Sequence, residues 1–315
     1  MNIVVLDGFT LNPGDLSWQG FEQLAQCVVY DHTEQHDVVA RANKADIVLT
    51  NKTVLSAHTL KQLPNVKYIG VLATGTNVVD VEYAKQHGIV VTNIPAYGPD
   101  AVAQMVFAHI LSHTQQVALH DSAVKQGHWS EQRDFCFTLA PLMSLKGKTI
   151  GLIGYGDIAQ HVAKIALSFG MNVLVHTPTP KTELAQGVSW CTLTDLLPQS
   201  HFVSLHCPLT PATEQLIDQP LLAQLPKNTL IINTARGGLV NEQALADWLN
   251  AGKGFAAVDV LSTEPPSPNN PLLSAKNITI TPHIAWATKE ARQNLMNIAV
   301  DNCQQFIVGK PVNRV

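Results

Sequence analysis

Four polar residues stand just beyond apolar runs in the second half of this sequence. Arg236 follows Thr229–Asn233, Asp259 lies at the end of Gly254–Val260, Glu264 sits in the loop after it, and His283 follows Ile278–Thr281. A guanidinium grips a carboxylate with two parallel hydrogen bonds. A histidine beside a carboxylate is favoured in its protonated form and can hand that proton to a reacting atom near neutral pH. The set gathers a cation, two acids and a histidine of the kinds such chemistry uses. Singly, each residue has an ordinary use: Arg236 in a surface ion pair, Glu264 as a loop charge, His283 as a hydrogen-bonded strand-end histidine. Their joint placement favours chemistry, because ligands of open α/β sheets bind at the carboxyl ends of the strands.

The stretch that would bring a cofactor to that edge is KGKTIGLIGYGDIAQHVAKIALSFGMNVLVHT, Lys146 to Thr177. An apolar run, Thr149–Ile153, meets glycines 151, 154 and 156; a helix-period segment, Asp157–Phe169, and a second apolar run, Val173–Val175, follow. Three glycines alone are a weak signal. Placed between a strand and a helix they predict a dinucleotide-binding turn. Gly154 would permit the tight turn, Gly156 would let backbone approach a pyrophosphate, and Ala159 is small enough for close helix–strand packing. The helix start at Asp157 and Ile158 would offer N–H groups and a positive dipole end to phosphates. The alternative is a tight turn of the kind found in any α/β protein.

These residues need a scaffold, and the chain supplies a βα rhythm. Predicted strands in the first hundred residues are Ile3–Leu6, Val28–Tyr30, Ile47–Leu49, Tyr68–Leu72 and Ile89–Thr92. Helical patterns between them cover Trp18–Ala25, Val38–Ala42, Ala57–Gln62 and Val81–His87, the last ended by Gly88. Asp7-Gly8, Thr50–Thr53 and Ala73–Asn77 are the loops at the ligand edge. Pro95–Pro99 is a rigid break, Asp100 to about Val124 reads as one long helix, and Lys125–Ser144 is an aromatic loop with Trp129 and Phe135-Cys136-Phe137. That loop would be covered by a partner subunit or fold back on its own domain. Beyond Thr177 the pattern gives helices at Thr194–Leu197, Leu216–Leu225 and Asn241–Asn250, strands at Phe202–Leu205, Thr229–Asn233, Gly254–Val260 and Ile278–Thr281, and a final helix, Ala287–Val308.

The totals exclude several classes. A chain of 315 residues suits two domains with ample core. With 46% hydrophobic and 14% charged residues, a net charge of −4 and no basic run, it fits a compact enzyme rather than a nucleic-acid or membrane-surface binder. No apolar stretch approaches a membrane span, and MNIVVLDG reads as a first strand rather than a signal peptide. Five scattered cysteines without a CxxC pair, and thirteen scattered histidines, predict neither disulfides nor a metal site, which makes a reducing cytoplasm the expectation.

Over nearly its whole length the chain resembles the D-2-hydroxyacid dehydrogenases. GLIGYGDIA (151–159), HCPLTPAT (206–213), INTARGGLVNEQAL (232–245), AAVDVLSTEPP (256–266) and TPHIAWAT (281–288) carry the resemblance. Within the family it is most similar to glycerate dehydrogenases, or hydroxypyruvate reductases, through LDGFTLNPGDLSW, LTNKTVL, GVLATGTNVVD, DFCF and HIAWATKEAR. The resemblance implies two doubly wound parallel-sheet α/β domains, Rossmann- or flavodoxin-like, with a cleft between them: 1–97 plus 286–315 for substrate and 98–285 for the dinucleotide. It implies a homodimer, with the Gly127–Phe137 arm at the interface, and a small 2-keto or 2-hydroxy acid, hydroxypyruvate or glyoxylate, as substrate.

The same resemblance assigns roles. His283 would donate the proton, Glu264 would pair with it, and Arg236 would bind the substrate carboxylate, a task for which Lys is a poor substitute. Lys52, backbone N–H groups of the Ala73, Thr74 and Gly75 loop, and Asn77 would contact substrate. Gly154, Gly156, Asp157 and Ile158 would hold the pyrophosphate. Cys207, Pro208 and Thr213 would line the adenosine side, and Thr234, Ala235, Asp259 and Ala285 the nicotinamide side. One departure stands out. Where an NAD-preferring member carries an acid for the ribose hydroxyls, this chain has Thr177. That permits NADP, yet no Arg follows and Lys181 is the nearest cation, so the expectation is NAD or NADP with a lean to NAD. Alternatives are a same-fold enzyme for lactate, phosphoglycerate or phosphite, and a dinucleotide-sensing, corepressor-like binding protein.

Overall fold

A computed structural model describes all residues from Met1 to Val315. The chain divides into two compact units, one of Met1–Gly98 with Trp286–Val315 and one of Pro99–Ala285. Each unit is built on a wholly parallel sheet.

The first unit has strands β1 (Asn2–Val5), β2 (Gln26–Val29), β3 (Ile47–Thr50), β4 (Tyr68–Val71) and β5 (Val90–Thr92), in the order β2-β1-β3-β4-β5. Both sheet faces are covered. β3 and β4 are therefore buried at every position and read as continuous apolar runs rather than alternating ones. One face carries a core of Val4, Leu6, Val48, Ile69 and Val91; the other packs Ile3, Val5, Leu49 and Tyr68 against Leu295, Met296 and Ala299 of the last helix, Lys289–Ile307. Arg292 fastens that helix to the N-terminal loop through two 2.7 Å bonds to the Asp15 carboxylate.

The second unit has seven strands: β6 (Thr149–Ile153), β7 (Asn172–His176), β8 (Val188–Trp190), β9 (Phe202–Leu205), β10 (Leu230–Asn233), β11 (Phe255–Val258) and β12 (Ile278–Ile280). Their order, β12-β11-β10-β9-β6-β7-β8, reverses direction between β6 and β9. In the first sheet the reversal falls between β1 and β3. Such switch points open a crevice at the carboxyl ends of the strands. The expected doubly wound α/β architecture is what forms, in both units.

Several element boundaries differ from the sequence reading. The helix expected over Asp100–Val124 is two, Pro99–Gln115 and Val117–Lys125, broken where Gln116 takes a left-handed φ of +50°. The helix expected over Leu216–Leu225 shrinks to Gln219–Leu222, because Ile217 bridges to Val240 and Pro220 sits in the first turn. Trp18–Ala25 likewise reduces to Gln19–Glu22. In the aromatic loop Phe135 is 88% exposed and Trp129 52%, with Trp129 Nε1 donating to the Phe135 carbonyl at 3.0 Å.

Candidate active site

The glycine turn follows β6, at the switch point. Gly154 has φ +99°, and a Cβ there would lie 2.6–2.8 Å from the backbone of His206 and Cys207 on the neighbouring β9 loop. Its glycine is required by protein packing. Gly156 is different: a Cβ there would meet no protein atom within 4 Å. The helix Asp157–Ser168 begins here with Gly156 at its N-cap and no side-chain cap. An uncapped helix start beside exposed Gly156 and Asp157 leaves amide donors and positive dipole directed at open space. Ala159, fully buried, packs the helix onto the sheet.

At the carboxyl end of β7, Thr177 is 8% exposed and donates its hydroxyl to the Thr179 carbonyl at 2.7 Å, while Trp190 Nε1 donates to the Thr177 carbonyl. Its one hydroxyl proton is used inside the turn. After β9, Thr213 closes its own loop: its hydroxyl donates to the Pro208 carbonyl at 2.7 Å and accepts from the Thr210 amide at 2.8 Å. Burial raises the Cys207 thiol above its ordinary range, so it stands as a neutral lining group. His206 contacts Ser204 Oγ through Nε2 at 2.9 Å, and desolvation lowers its imidazole to about 4. It is neutral at pH 7.

The β10 loop is shaped by Asn233, 1% exposed. Its Oδ1 accepts the Ala235 amide at 3.1 Å and its Nδ2 donates to the Arg236 carbonyl at 2.9 Å, which folds Thr234-Ala235-Arg236 into a compact turn. Arg236 emerges exposed, with one guanidinium nitrogen donating to the Ala235 carbonyl at 2.7 Å and no ion pair. Thr234 Oγ1 is buried without a hydrogen-bond partner, the one such side-chain atom in the protein. An orphaned hydroxyl of this kind marks a place where a bound group completes the bonding.

The loops after β11 and β12 form one unit around Asp259, 1% exposed. Its Oδ1 accepts from Thr281 Oγ1 at 2.5 Å and from the Ile284 amide at 2.9 Å, and its Oδ2 accepts from the Ala285 amide at 2.8 Å. The Asp259 carbonyl accepts the His283 amide at 2.7 Å. His283 therefore keeps its left-handed φ of +55°, a strained conformation for a non-glycine residue, because both flanks are tied to one aspartate. Its Nδ1 meets Glu264 Oε2 at 2.6 Å, the two side chains being 31% and 33% exposed. Glu264 Oε1 accepts the Leu261 amide at 3.1 Å. Behind this group His109 Nε2 lies 3.5 Å from Thr281 Oγ1, its imidazole lowered mainly by burial, against which the Asp259 charge works.

The first unit has its own ligand-edge loops. Asp7, just past β1, accepts the amides of Asn51, Lys52 and Thr53 at 2.8, 2.6 and 2.7 Å. Lys52 projects into solvent without an ion pair. After β4, the Ala73 carbonyl accepts the Ile94 amide at 3.0 Å and Thr74 Oγ1 donates to the Ile94 carbonyl at 2.7 Å, leaving Thr74 and Asn77 on the surface and Gly75 half-buried between them.

The structure thus joins His283 to Glu264, and Asp259 to the segment Thr281–Ala285. It seats Arg236 in the loop after β10, the strand paired with β11 that leads to Asp259, and the glycine turn beside the His206–Thr213 loop. The sequence reading places Asp7 only in a ligand-edge loop and Asn233 only at a strand end, neither as a residue that shapes the loops around it, and Glu242 carries no local signal. The available signal was a carboxylate or amide directly after a wholly apolar strand, as in VVLD and LIIN.

A doubly wound pair of sheets with this glycine turn, arginine and histidine–carboxylate pair defines a dinucleotide-dependent oxidoreductase class. The model of the D-isomer specific 2-hydroxyacid dehydrogenase NAD binding domain matches residues 107–285, and the chain belongs to that family. It is 47% identical to the hydroxypyruvate reductase of Blautia hydrogenotrophica, over 100% of this chain and 99% of that protein. It is 40% identical to the glycerate dehydrogenase of Methylorubrum extorquens, over 89% and 88%. Among solved structures, an acyclic imino acid reductase in complex with NADPH and D-Arg superposes with a TM-score of 0.86 at 28% identity, covering both chains fully.

Proposed function

We propose that the protein interconverts a small 2-keto acid, hydroxypyruvate or glyoxylate, and its D-2-hydroxy acid, D-glycerate or glycolate, with NAD or NADP. The observation that carries this reading is the 2.6 Å His283–Glu264 pair on the same sheet edge as the uncapped glycine turn. The names of the two curated relatives support the choice of keto acid.

When bound, the dinucleotide supplies the hydride. Gly154, Gly156, Asp157 and Ile158 would hold its pyrophosphate, Cys207, Pro208 and Thr213 its adenosine side, and Thr177 its ribose. Thr234, Ala235, Asp259 and Ala285 would hold its carboxamide. The orphaned Thr234 hydroxyl and the second acceptor position of Asp259 Oδ2 suit an amide, which both donates and accepts. Glu264 holds the Nδ1–H of His283, so the imidazole presents Nε2 to the carbonyl oxygen and donates its proton there. Arg236 has no acidic partner of its own and would bind the substrate carboxylate in a fork while polarising the carbonyl. Lys52, the Ala73–Gly75 backbone and Asn77 would add first-unit contacts, which makes residues 1–97 and 286–315 the substrate domain and 98–285 the cofactor domain.

The uncharged Thr177 side chain neither repels a 2′-phosphate nor clamps one, and the lack of an adjacent arginine supports NAD over NADP. One structural neighbour solved with NADPH, and another, a D-lactate dehydrogenase solved with NAD+, support keeping both dinucleotides open. The exposed Phe135 and Trp129 support a homodimer through the aromatic arm. A monomer in sedimentation at micromolar concentration would remove that reading. Five unpaired cysteines support a reducing, cytoplasmic setting, which cell fractionation checks. No helix is long and apolar enough to cross a membrane.

The direct experiment mixes purified protein with NADH or NADPH and hydroxypyruvate or glyoxylate and follows nicotinamide absorbance. Oxidation of the cofactor is expected. No oxidation with either cofactor and any small keto acid would sink the enzyme reading.

A further inference from the structure

The segment carrying Glu264 is poorly equipped to hold itself in place. Ser262–Asn270 reads STEPPSPNN, and its three prolines offer no N–H for a ladder. No strand or helix forms within it. Both of its ends nevertheless converge on one side chain, the carboxylate of Glu242. Glu242 Oε1 accepts the Ser262 amide at 2.8 Å, and Oε2 accepts Ser262 Oγ at 2.8 Å and Asn270 Nδ2 at 2.8 Å. Glu242 is the first residue of the helix Glu242–Asn250, where the dipole favours a negative charge and Asn241 caps the backbone through the Ala244 amide. The anchor is itself anchored.

A second contact fixes the same spot. Gly237, buried directly after Arg236, presses its backbone against Leu261 and Ser262 so closely that a Cβ would collide with the Leu261 carbonyl and the Ser262 nitrogen. From there Leu261 donates its amide to Glu264 Oε1, and Glu264 Oε2 meets His283 Nδ1. The path from Glu242 through Ser262 and Leu261 to Glu264 and His283 is continuous and lies wholly within the second unit.

We infer that Glu242 is a positioning residue for the Glu264–His283 pair: its carboxylate closes the proline-rich loop at both ends and so fixes the distance at which Glu264 orients the imidazole. The inference rests on the proposed acid role of His283. A carboxylate is needed because all three partners are donors; an amide would turn its own N–H toward one of them. Misplacing a catalytic group by an ångström costs about a hundredfold in rate.

The test is Glu242→Gln, compared with wild type by three readouts. The expected result is a kcat lower by about ten- to a hundredfold, a KM for hydroxypyruvate changed less than about twofold, and an unchanged NADH dissociation constant by fluorescence titration. In the protein without substrate, the far-downfield proton resonance of the short His283–Glu264 bond should broaden or vanish. Ser262→Ala, which removes only the Ser262 Oγ bond of the three and leaves the charge, should move kcat and the resonance the same way by less, and it serves where Glu242→Gln fails to fold. A kcat and a proton resonance matching wild type in these variants would overturn the inference. If wild type reduces no keto acid, the functional reading fails by itself, while the resonance still decides whether Glu242 positions the pair.

Discussion

The Asp259 carboxylate accepts the backbone N–H of Ala285 at 2.8 Å, across 26 residues of chain. Together with its bonds to Thr281 Oγ1 and the Ile284 amide, this makes one buried aspartate the fastening of the whole His283 segment. The strain of a left-handed His283 is thereby offset by charge-assisted bonds on either side of it. Asp259→Ala should cost about 3 kcal/mol, since it orphans two amides and a hydroxyl in a buried place. Urea unfolding at pH 7 reads that loss directly, and a midpoint equal to wild type would mean the segment is held by other contacts.

His283→Ala should lower kcat by about a hundred- to ten-thousandfold, the range for removing a general acid, with NADH affinity retained. Arg236→Lys should act differently. A lysine keeps the charge and loses the fork, so KM for the keto acid should rise about tenfold and kcat should fall as carbonyl polarisation weakens. Steady-state kinetics on both variants separates the roles. Unchanged turnover in His283→Ala removes it from the acid role, and wild-type constants in Arg236→Lys place the carboxylate elsewhere.

Much of this was legible from sequence for a physical reason. Strands of a parallel sheet covered on both faces, such as Val48-Leu49 or Ile231-Ile232, are apolar throughout, and their ends mark the ligand edge. The glycine turn was legible because Gly154 and Gly156 stand between such a strand and a helix. The residues that hold the site together were hidden because their partners are distant in sequence. Asp7 serves amides 44 to 46 residues away, and Glu242 serves Asn270 28 residues away. The break at Gln116 was equally hidden, since glutamine carries no local signal for a left-handed turn. The sequence alone places Thr177 where an acid is expected, but only the structure shows its hydroxyl turned onto the Thr179 carbonyl.

The two glycines of the turn should part company when each is changed to alanine. Gly154→Ala places a Cβ against the His206–Cys207 backbone at a φ that side chains avoid, so the folded state itself should weaken, by at least about 1 kcal/mol. Gly156→Ala meets no protein atom within 4 Å and should leave the melting temperature near wild type. Its Cβ would stand where backbone must approach phosphate, so the NADH dissociation constant should rise about tenfold, or 1.4 kcal/mol. Calorimetry with and without NADH tells them apart. Equal NADH affinity in Gly156→Ala and wild type would move the pyrophosphate away from this turn.

Acid should weaken the fold through His206. Its folded-state value, about 4, lies below the ordinary 6.5 because desolvation disfavours the imidazolium. An unfolded chain takes up the proton first as pH falls, so the stability that neutral His206 permits is fully present above 6.5 and is lost between 6.5 and about 4. A gap of that size corresponds to about 3 kcal/mol. His109 and His113, both lowered by burial, act with the same sign and keep part of the acid sensitivity in any single variant. His206→Gln retains an amide for the Ser204 hydroxyl and cannot titrate. Its unfolding free energy should therefore fall less steeply than that of wild type between pH 7 and pH 4, by about 3 kcal/mol over the interval. Parallel curves for the two proteins would mean that His206 is protonated in the fold as readily as in the open chain.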